Sequence, residues 1–281
     1  MGGYKVEKED FGKLYIVATP IGNLEDITLR ALRILKEVDV IAAEDTRNTL
    51  KLLNHFYISK PLISYHRHNE KVKKSVLIDK LKNGENIALV SDAGTPGISD
   101  PGEEVIKEAI KENISVIPIP GACAMINALI CSGISTKEFL FLGFLPLNKK
   151  LRKQKLEEIQ NSTKTIILYE APHKIESTLV DLKCILDQRK VVLAREITKI
   201  HEEYIRMKID ELIEYARDLK GEIVLIIEGN EEKEIENSLN NLSLEEHYKF
   251  YENQGYDKRQ IIKKIAKDRN LSKNEIYMKF I

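Results

Sequence analysis

The sequence predicts an α/β protein, two α/β units with mainly parallel sheets followed by a small helical tail, and three observations carry that reading. Short runs rich in Ile, Val, Leu and Tyr alternate with stretches of helical period, the pattern of a parallel sheet covered by helices on both faces. The 281 residues suffice for two compact units of ordinary size and an appendage. The run ending at Val90-Ser91 passes straight into a loop, Asp92 to Gly102, made almost wholly of turn residues. Strand-to-helix connections ordinarily take about 2–6 residues. A longer one, with Gly94, Gly97 and Gly102 free of Cβ atoms and Pro96 and Pro101 stiffening the path, is suited to holding a ligand against its backbone.

Five strands are expected in the first unit (residues 13–119): Leu14–Ala18, Val38–Ala42, Leu62–Tyr65, Ile87–Ser91 and Ser115–Ile119. Between them, Thr28–Val38 repeats Leu29, Leu32, Leu35 and Val38 at helical spacing behind a cap at Asp26 or Thr28. Asn69–Lys82 reads as a helix burying Val72, Val76 and Leu77, with Gly84 as its stop. The second unit (120–230) opens at Pro120-Gly121-Ala122 with an apolar helix to Cys131 and a stop at Gly133. Strands follow at Phe139–Leu145, Thr165–Tyr169, Val191–Arg195, Tyr204–Ile209 and Glu222–Ile227, with helices over Lys149–Gln160, Lys174–Leu186 and Asp210–Leu219. Tyr204–Ile209 alternates apolar and polar residues, which suits an antiparallel strand. Residues 231–242 read as an acidic linker and 243–281 as a helix-turn-helix-like tail, in which Gln260–Lys267 carries Ile261, Ile262 and Ile265 and Asn274–Phe280 carries Ile276, Tyr277 and Phe280. From Asp257 to Ile281 eight basic residues stand against three acidic ones, which suits either nucleic acid or a solvated helical hairpin.

Lysine plus arginine equal aspartate plus glutamate at 44 each, so an anionic partner must be met by a local patch. Cys123, Cys131 and Cys184 are odd in number and lack C-x-x-C spacing, against a disulfide framework or a zinc site and in keeping with the cytoplasm. Residues 1–12 read as a polar leader without an apolar stretch, and no segment reaches the ~18 apolar residues of a membrane span. Neither GxGxxG after the first strand nor GxxxxGK[ST] occurs, which sets aside the usual dinucleotide and P-loop folds and leaves the cleft between the units as the pocket.

Three glycine and proline clusters sit at strand ends: Val17-Ala18-Thr19-Pro20-Ile21-Gly22-Asn23, Leu89–Pro96 and Pro120–Ala124. Together they resemble the tetrapyrrole methylase superfamily, whose members bind S-adenosylmethionine between two α/β domains through G-x-G-P-G-D, L-V-S-x-G-D-P and P-G-x-S motifs. Thr95 stands here at the aspartate of G-D-P and Cys123 near the serine of P-G-x-S. Those departures match the bacterial branch that methylates the ribose 2′-hydroxyl of a cytidine in small-subunit ribosomal RNA. Ala42–Arg47, Tyr65–Glu70, Phe141–Pro146, Tyr169–His173 and Ala194–Lys199 resemble that branch too, over Leu14 to about Gly229. The resemblance implies S-adenosylmethionine as cofactor, small-subunit ribosomal RNA as partner and a homodimer. A tetrapyrrole methyltransferase is the alternative on the same fold, and a non-catalytic nucleic-acid-binding protein the alternative of another class.

By resemblance the cofactor lies against Pro20, Thr95, Ile98, Ala122, Cys123 and Tyr169, with close approach at Gly94 and Gly121, and Asp92 within reach of its amino group or ribose. Chemistry agrees, since adenine wants apolar contact and a cationic sulfur tolerates no adjacent fixed positive charge. A ribose hydroxyl needs a group to take its proton, and Glu44, Asp45, His66 and Glu196 are the candidates. Other roles stay open beside that one: Asp45 as a helix cap or partner of Arg47, and Glu170 with Arg195-Glu196 as an internal ion pair. His66 and His68 stand in an H-x-H pattern whose third metal ligand is not evident, so no metal is expected. For RNA, Lys149, Lys150, Arg152 and Lys153 head a run with five basic residues in seven, and Arg47, Arg67 and His68 can join it, with Tyr65 as a stacking face.

Overall fold

The structure is a computed structural model that describes residues 11–186, 188–231, 238–269 and 271–280. Its first half runs β1 (Leu14–Val17), α1 (Leu29–Glu37), β2 (Val40–Ala43), α2 (Thr46–His55), β3 (Leu62–Ser64), α3 (Glu70–Lys82), β4 (Ile87–Val90), α4 (Glu103–Lys111) and β5 (Val116–Ile119). The five strands form one parallel sheet in the order β3-β2-β4-β1-β5. β2 and β4 are buried at every position, as strands covered on both faces must be. Pro118, which lacks the N–H a central strand would need, falls on edge strand β5.

The chain leaves β1 toward β2 on one side and leaves β4 toward β5 on the other, so the strand order reverses between these neighbours. Helices α1 and α2 pack Ala31, Ile34, Leu35 and Leu53 on one face of the sheet. Helices α3 and α4 pack Leu77, Ile78, Leu81, Val105 and Ala109 on the other. Thr28 caps α1, its hydroxyl accepting from the Ala31 N–H at 3.0 Å. Two helix faces differ from expectation. Leu29 is 86% exposed and Val72 71% exposed, because the residues that meet the sheet lie half a turn away on a 3.6-residue helix. Phe11 and Gly12, expected to end a leader, join the first half: Phe11 packs on its core and the Gly12 N–H reaches the Leu81 carbonyl at 2.7 Å. The rest of that leader lies outside the described residues.

The second half runs α5 (Ala124–Ile130), β6 (Phe139–Phe144), α6 (Lys149–Asn161), β7 (Thr165–Glu170), α7 (Pro172–Leu186), β8 (Val191–Arg195), β9 (Glu203–Ile205), α8 (Ile209–Tyr215) and β10 (Ile223–Ile227). Its sheet, ordered β6-β7-β10-β8-β9, corrects the expectation of a mainly parallel one: β6 and β7 are parallel, whereas β10 is antiparallel to both β7 and β8, and β8 to β9. A continuous apolar run such as Ile223-Val224-Leu225-Ile226-Ile227 carries no mark of direction, because both of its faces are buried either way. Leu225 and its i±2 neighbours face α7 and α8, while Val224 and Ile226 face α5 and meet Ile21 from the first half.

Residues 238–241, placed in the expected linker, are helical and bury Leu239 in the tail core; residues 232–237 lie outside the described residues. The tail continues as α9 (Leu244–Glu252), α10 (Lys258–Asp268) and α11 (Lys273–Tyr277), each begun by a capping box, at Ser243, Asp257 and Ser272. Among the described residues no helix is long and apolar enough to cross a membrane.

Leu225→Ala, at a fully buried site, is expected to lower stability by about 2–5 kcal/mol. Val72→Ala on the exposed side of α3 should change it by less than about 0.5 kcal/mol. Urea denaturation of both variants checks the assignment of faces.

Candidate functional site

The loops that follow β1 and β4 are joined where the strand order reverses. The Thr19 N–H donates to the Gly94 carbonyl at 2.9 Å and the Gly94 N–H returns a bond to Thr19 at 3.0 Å. Gly94 has φ +76, and a Cβ there would stand 3.2 Å from Ile21 Cγ2. A cavity of about 480 Å³ opens beside this bridge, between the two sheets. Ligands of open α/β sheets bind at such carboxyl-end reversal points.

Ile21, Ile98, Phe144, Ile223 and Val224 supply apolar walls, and Glu44, Asp92 and Asp100 bring carboxylates. No lysine or arginine lines the cavity among the described residues. Tyr169 stands edge-on to Phe141 and Phe144, with ring centres 4.9 and 5.8 Å away, and burial pushes its hydroxyl up to about 12, so it stays protonated. Apolar walls, carboxylates, a close-approach glycine and no fixed positive charge together fit the cationic, adenine-bearing cofactor that the resemblance implies.

The acidic groups occupy different environments. Asp92 accepts from the Asp45 N–H at 3.1 Å through Oδ1 and from Asn48 Nδ2 at 3.2 Å through Oδ2, pinning the start of α2. Burial raises the Glu44 carboxyl, with the Asp92 N–H pulling the other way. Burial, and then the negative charge of Glu44, push Asp100 up to about 6, against the pull of Arg67. Asp45 is held down at about 2, first by the Arg47 side chain and then by the Arg47 N–H that it caps. Glu196 is off the cavity wall. Burial raises it, but the Glu222 N–H at 2.9 Å and Lys199 Nζ at 3.0 Å outweigh that and leave its carboxyl below the ordinary value.

His66 also lies off the cavity wall. Asn69 clasps it, Oδ1 accepting from the His66 N–H at 2.8 Å and Nδ2 lying 3.3 Å from Nε2, and the His68 ring is edge-on at 5.9 Å. Arg67 turns its guanidinium to the carbonyl of Ser99, a residue with φ +63. The expected ion pair of Glu170 with Arg195-Glu196 does not form. Glu170 accepts from the Ala171 N–H at 2.8 Å and the Thr178 hydroxyl at 2.6 Å, while Arg195 pairs with Glu203 at 2.6 Å, because the β8–β9 hairpin carries that arginine away from α7.

Of the residues matched to the cofactor, Asp92, Gly94, Thr95, Ile98, Cys123 and Tyr169 line the cavity. Pro20, Gly121 and Ala122 are not among the lining residues. Ala122 accepts from Thr95 Oγ1 at 3.2 Å, and Gly121 lies so close to Ala18 that a Cβ would come within 3.0 Å of it. Of the residues matched to RNA, Lys149, Lys150 and Lys153 are exposed on α6 and Arg47 and His68 near the start of α2 and α3. Arg152 is only partly exposed, its guanidinium committed to Asp181 at 2.7 Å and Thr178 at 2.9 Å, while the exposed Arg47 and Arg67 also have partners, in Asp45 and the Ser99 carbonyl. Tyr65 is fully buried in the first core and offers no stacking face. Sequence reasoning did not place Asp100 among the proton-acceptor candidates, although it belongs to the same ligand-holding loop as Gly94 and Thr95 and is an acidic wall of the cavity. It also missed Ile223 and Val224, whose apolar run gives no sign of a cavity at one end.

The model of the Tetrapyrrole (Corrin/Porphyrin) Methylases matches residues 13–213. A relative named ribosomal RNA small subunit methyltransferase I from Halalkalibacterium halodurans is 51% identical over 96% of this chain and 95% of its own. One of the same name from Bacillus subtilis is 46% identical over 96% and 94%. Among solved structures, a cobalt precorrin-4 methyltransferase superposes with a TM-score of 0.59 at 16% identity, over 77% of this chain and 94% of that one. A uroporphyrin-III C-methyltransferase from Thermus thermophilus, complexed with S-adenosyl homocysteine, gives 0.56 at 16% identity over 77% and 97%. Those two show the fold alone. With its bridged loops, its cation-tolerant cavity and close relatives along nearly its whole length, the chain belongs to the tetrapyrrole methylase family, in the branch of the ribosomal RNA small subunit methyltransferase I proteins.

Proposed function

We propose that this protein uses S-adenosylmethionine to methylate the ribose 2′-hydroxyl of a cytidine in small-subunit ribosomal RNA. The observation that carries the reading is the cavity beside the Thr19–Gly94 bridge, with apolar walls, carboxylates and no basic lining. The name shared by relatives 46–51% identical to this chain supports the RNA substrate. When bound, the cofactor supplies a methyl group made electrophilic by a cationic sulfur. The backbone at Gly94 and the rings of Phe144 and Tyr169 would hold and orient it, with the Ala122 carbonyl fixing Thr95 beside them. Glu44 and Asp100 would offer it negative charge, and among the described residues no lysine or arginine lines the cavity.

As the ribose oxygen gains the methyl it gives up a proton, and Asp100 is the acceptor this reading favours. A carboxylate held near 6 is a stronger base than Asp45 near 2, whose lone pairs are spent on Arg47, and stronger than Glu196, spent on Lys199 and Glu222. The acceptor works ionised, so kcat/KM should rise as pH passes upward through about 6. Asp100→Asn should remove that limb and lower kcat roughly 100-fold. A pH profile of methyl transfer checks both, and an unaltered profile would return the role to Glu44.

Phosphates of the substrate can be met by Lys149, Lys150 and Lys153 on α6 and by Arg47 and His68 near the cavity. A homodimer is supported by the surface that runs from edge strand β6 into α6, where Phe144, Leu147 and Leu151 are more than half exposed. Leu147→Glu with Leu151→Glu should give monomers in light scattering, and an unchanged mass would take the dimer interface elsewhere. The place of action is the cytoplasm, in keeping with three free cysteines.

Gly94→Val puts a β-branched side chain at φ +76 and into contact with Ile21. Calorimetry should then find no S-adenosylmethionine binding, and unaltered affinity would contradict the site. For the whole reading, ribose methylation of small-subunit RNA is mapped in cells with and without the gene: one missing 2′-O-methyl cytidine is expected, and an unchanged map would refute it.

A further inference from the structure

The tail presents a basic surface that the methyl-transfer cavity does not use. On α10, Ile261, Ile262, Ile265 and Ala266 turn inward to a core of their own with Leu239, Tyr251 and Ile276. The outward side carries Arg259, Lys263 and Lys267 at four-residue spacing, one above the other on the helix, and all three are exposed. Two hollows flank this stripe. One, of about 500 Å³, is lined by Lys258, Arg259, Lys263, Lys273 and Tyr277. The other, of about 650 Å³, is lined by Lys263, Lys264, Lys267, Lys273 and Tyr256. Lys263 and Lys273 belong to both, so the hollows form one surface.

Several lysines of the other lysine-rich helices meet carboxylates. Lys74 and Lys82 of α3 reach Glu104 and Glu112 at 3.3 and 2.6 Å, and Lys155 of α6 reaches Glu158 at 2.8 Å. On the α10–α11 surface, among the described residues, Arg259, Lys263, Lys264, Lys267 and Lys273 have no carboxylate within ion-pair distance. Lys264 lies instead 4.5 Å from the Tyr256 ring centre. Like charges gathered without counter-charges cost repulsion, and a polyanion relieves it. The support beneath is firm: Asp268 accepts from Tyr251 at 2.6 Å and meets His247 at 3.2 Å, and Arg269 Nε donates to His247 at 3.1 Å. With a chain of zero net charge, attraction for a polyanion comes from local patches, of which this surface is one.

We propose that the outer surface of α10 and α11 docks the phosphate backbone of a structured RNA, with Lys263 and Lys273 at its centre and Tyr256 and Tyr277 beside unstacked bases. Concave hollows with flanking tyrosines suit a nucleic-acid strand, whose phosphates come in series and whose bases stack on aromatic rings. The inference rests on the proposed RNA substrate and adds a second point of hold, outside the cavity.

The test uses the full chain, small-subunit ribosomal RNA transcribed in vitro, and a triple variant, Lys263→Gln, Lys267→Gln and Lys273→Gln. All three positions are solvent-facing, so circular dichroism and calorimetric S-adenosylmethionine binding should match the parent. Fluorescence anisotropy over a KCl series should show RNA affinity reduced at least tenfold at low salt, and a plot of log affinity against log salt shallower by about 2, at roughly 0.7 for each lost phosphate contact. A control pair on α4, Lys107→Gln with Lys111→Gln, should leave that slope alone. An unchanged slope in the triple variant overturns the proposal, as does lysine-dependent binding to phosphatidylserine vesicles without binding to RNA. The two readings fail separately. Methyl transfer by the triple variant with the parent's KM would remove the surface and keep the enzyme, whereas tail-dependent RNA binding without any methyl transfer would keep the surface and remove the enzyme.

Discussion

Two backbone hydrogen bonds between Thr19 and Gly94 hold the rest of the site in register. They join loops that leave adjacent parallel strands in opposite directions, where the strand order reverses and a hollow opens. Because Gly94 takes a positive φ and sits against Ile21, the main chain itself forms the wall there. The walls from the second half, Phe144, Tyr169 and Val224, close on a frame that this bridge has already fixed.

What the acidic residues do there depends on their surroundings. Asp45 is a cap locked to Arg47, Glu196 is absorbed by a lysine and a backbone amide, and Asp100 is half-enclosed beside another carboxylate. Their identities are alike on paper, and their basicities span several powers of ten. Chain neighbours such as Arg47 can be read from sequence. Glu44 and Asp100 are 56 positions apart and meet only once β2 and β4 lie side by side.

Much of the fold was legible because strands and helices write their period locally. The expected strands of the first half match β1 to β5 to within two residues at each end, and of the two caps expected for α1, Asp26 or Thr28, it is Thr28 that serves. The misreadings share a cause, that burial is decided by what lies opposite. Leu29, Val72 and Val76 are apolar, yet they fall on helix sides that meet no sheet. The direction of β10 is set by its neighbours β7 and β8, and its uniformly apolar sequence is indifferent to it. In the site, turn-rich loops announced the cavity, whereas Arg152 looked like a free cation until α7 supplied Asp181 and Thr178. The polar residues of α9 gave its helix little period to read, although Ser243 and Glu246 form its capping box.

Asp92 touches the cavity with a carboxylate whose two oxygens are already occupied by the Asp45 amide and the Asn48 side chain. A group so tethered cannot swing to greet an arriving molecule, nor relax once that molecule has changed its charge. The negative potential it contributes is therefore a standing property of the fold, fixed by the first turn of α2, and its reorganisation cost was met during folding rather than during turnover.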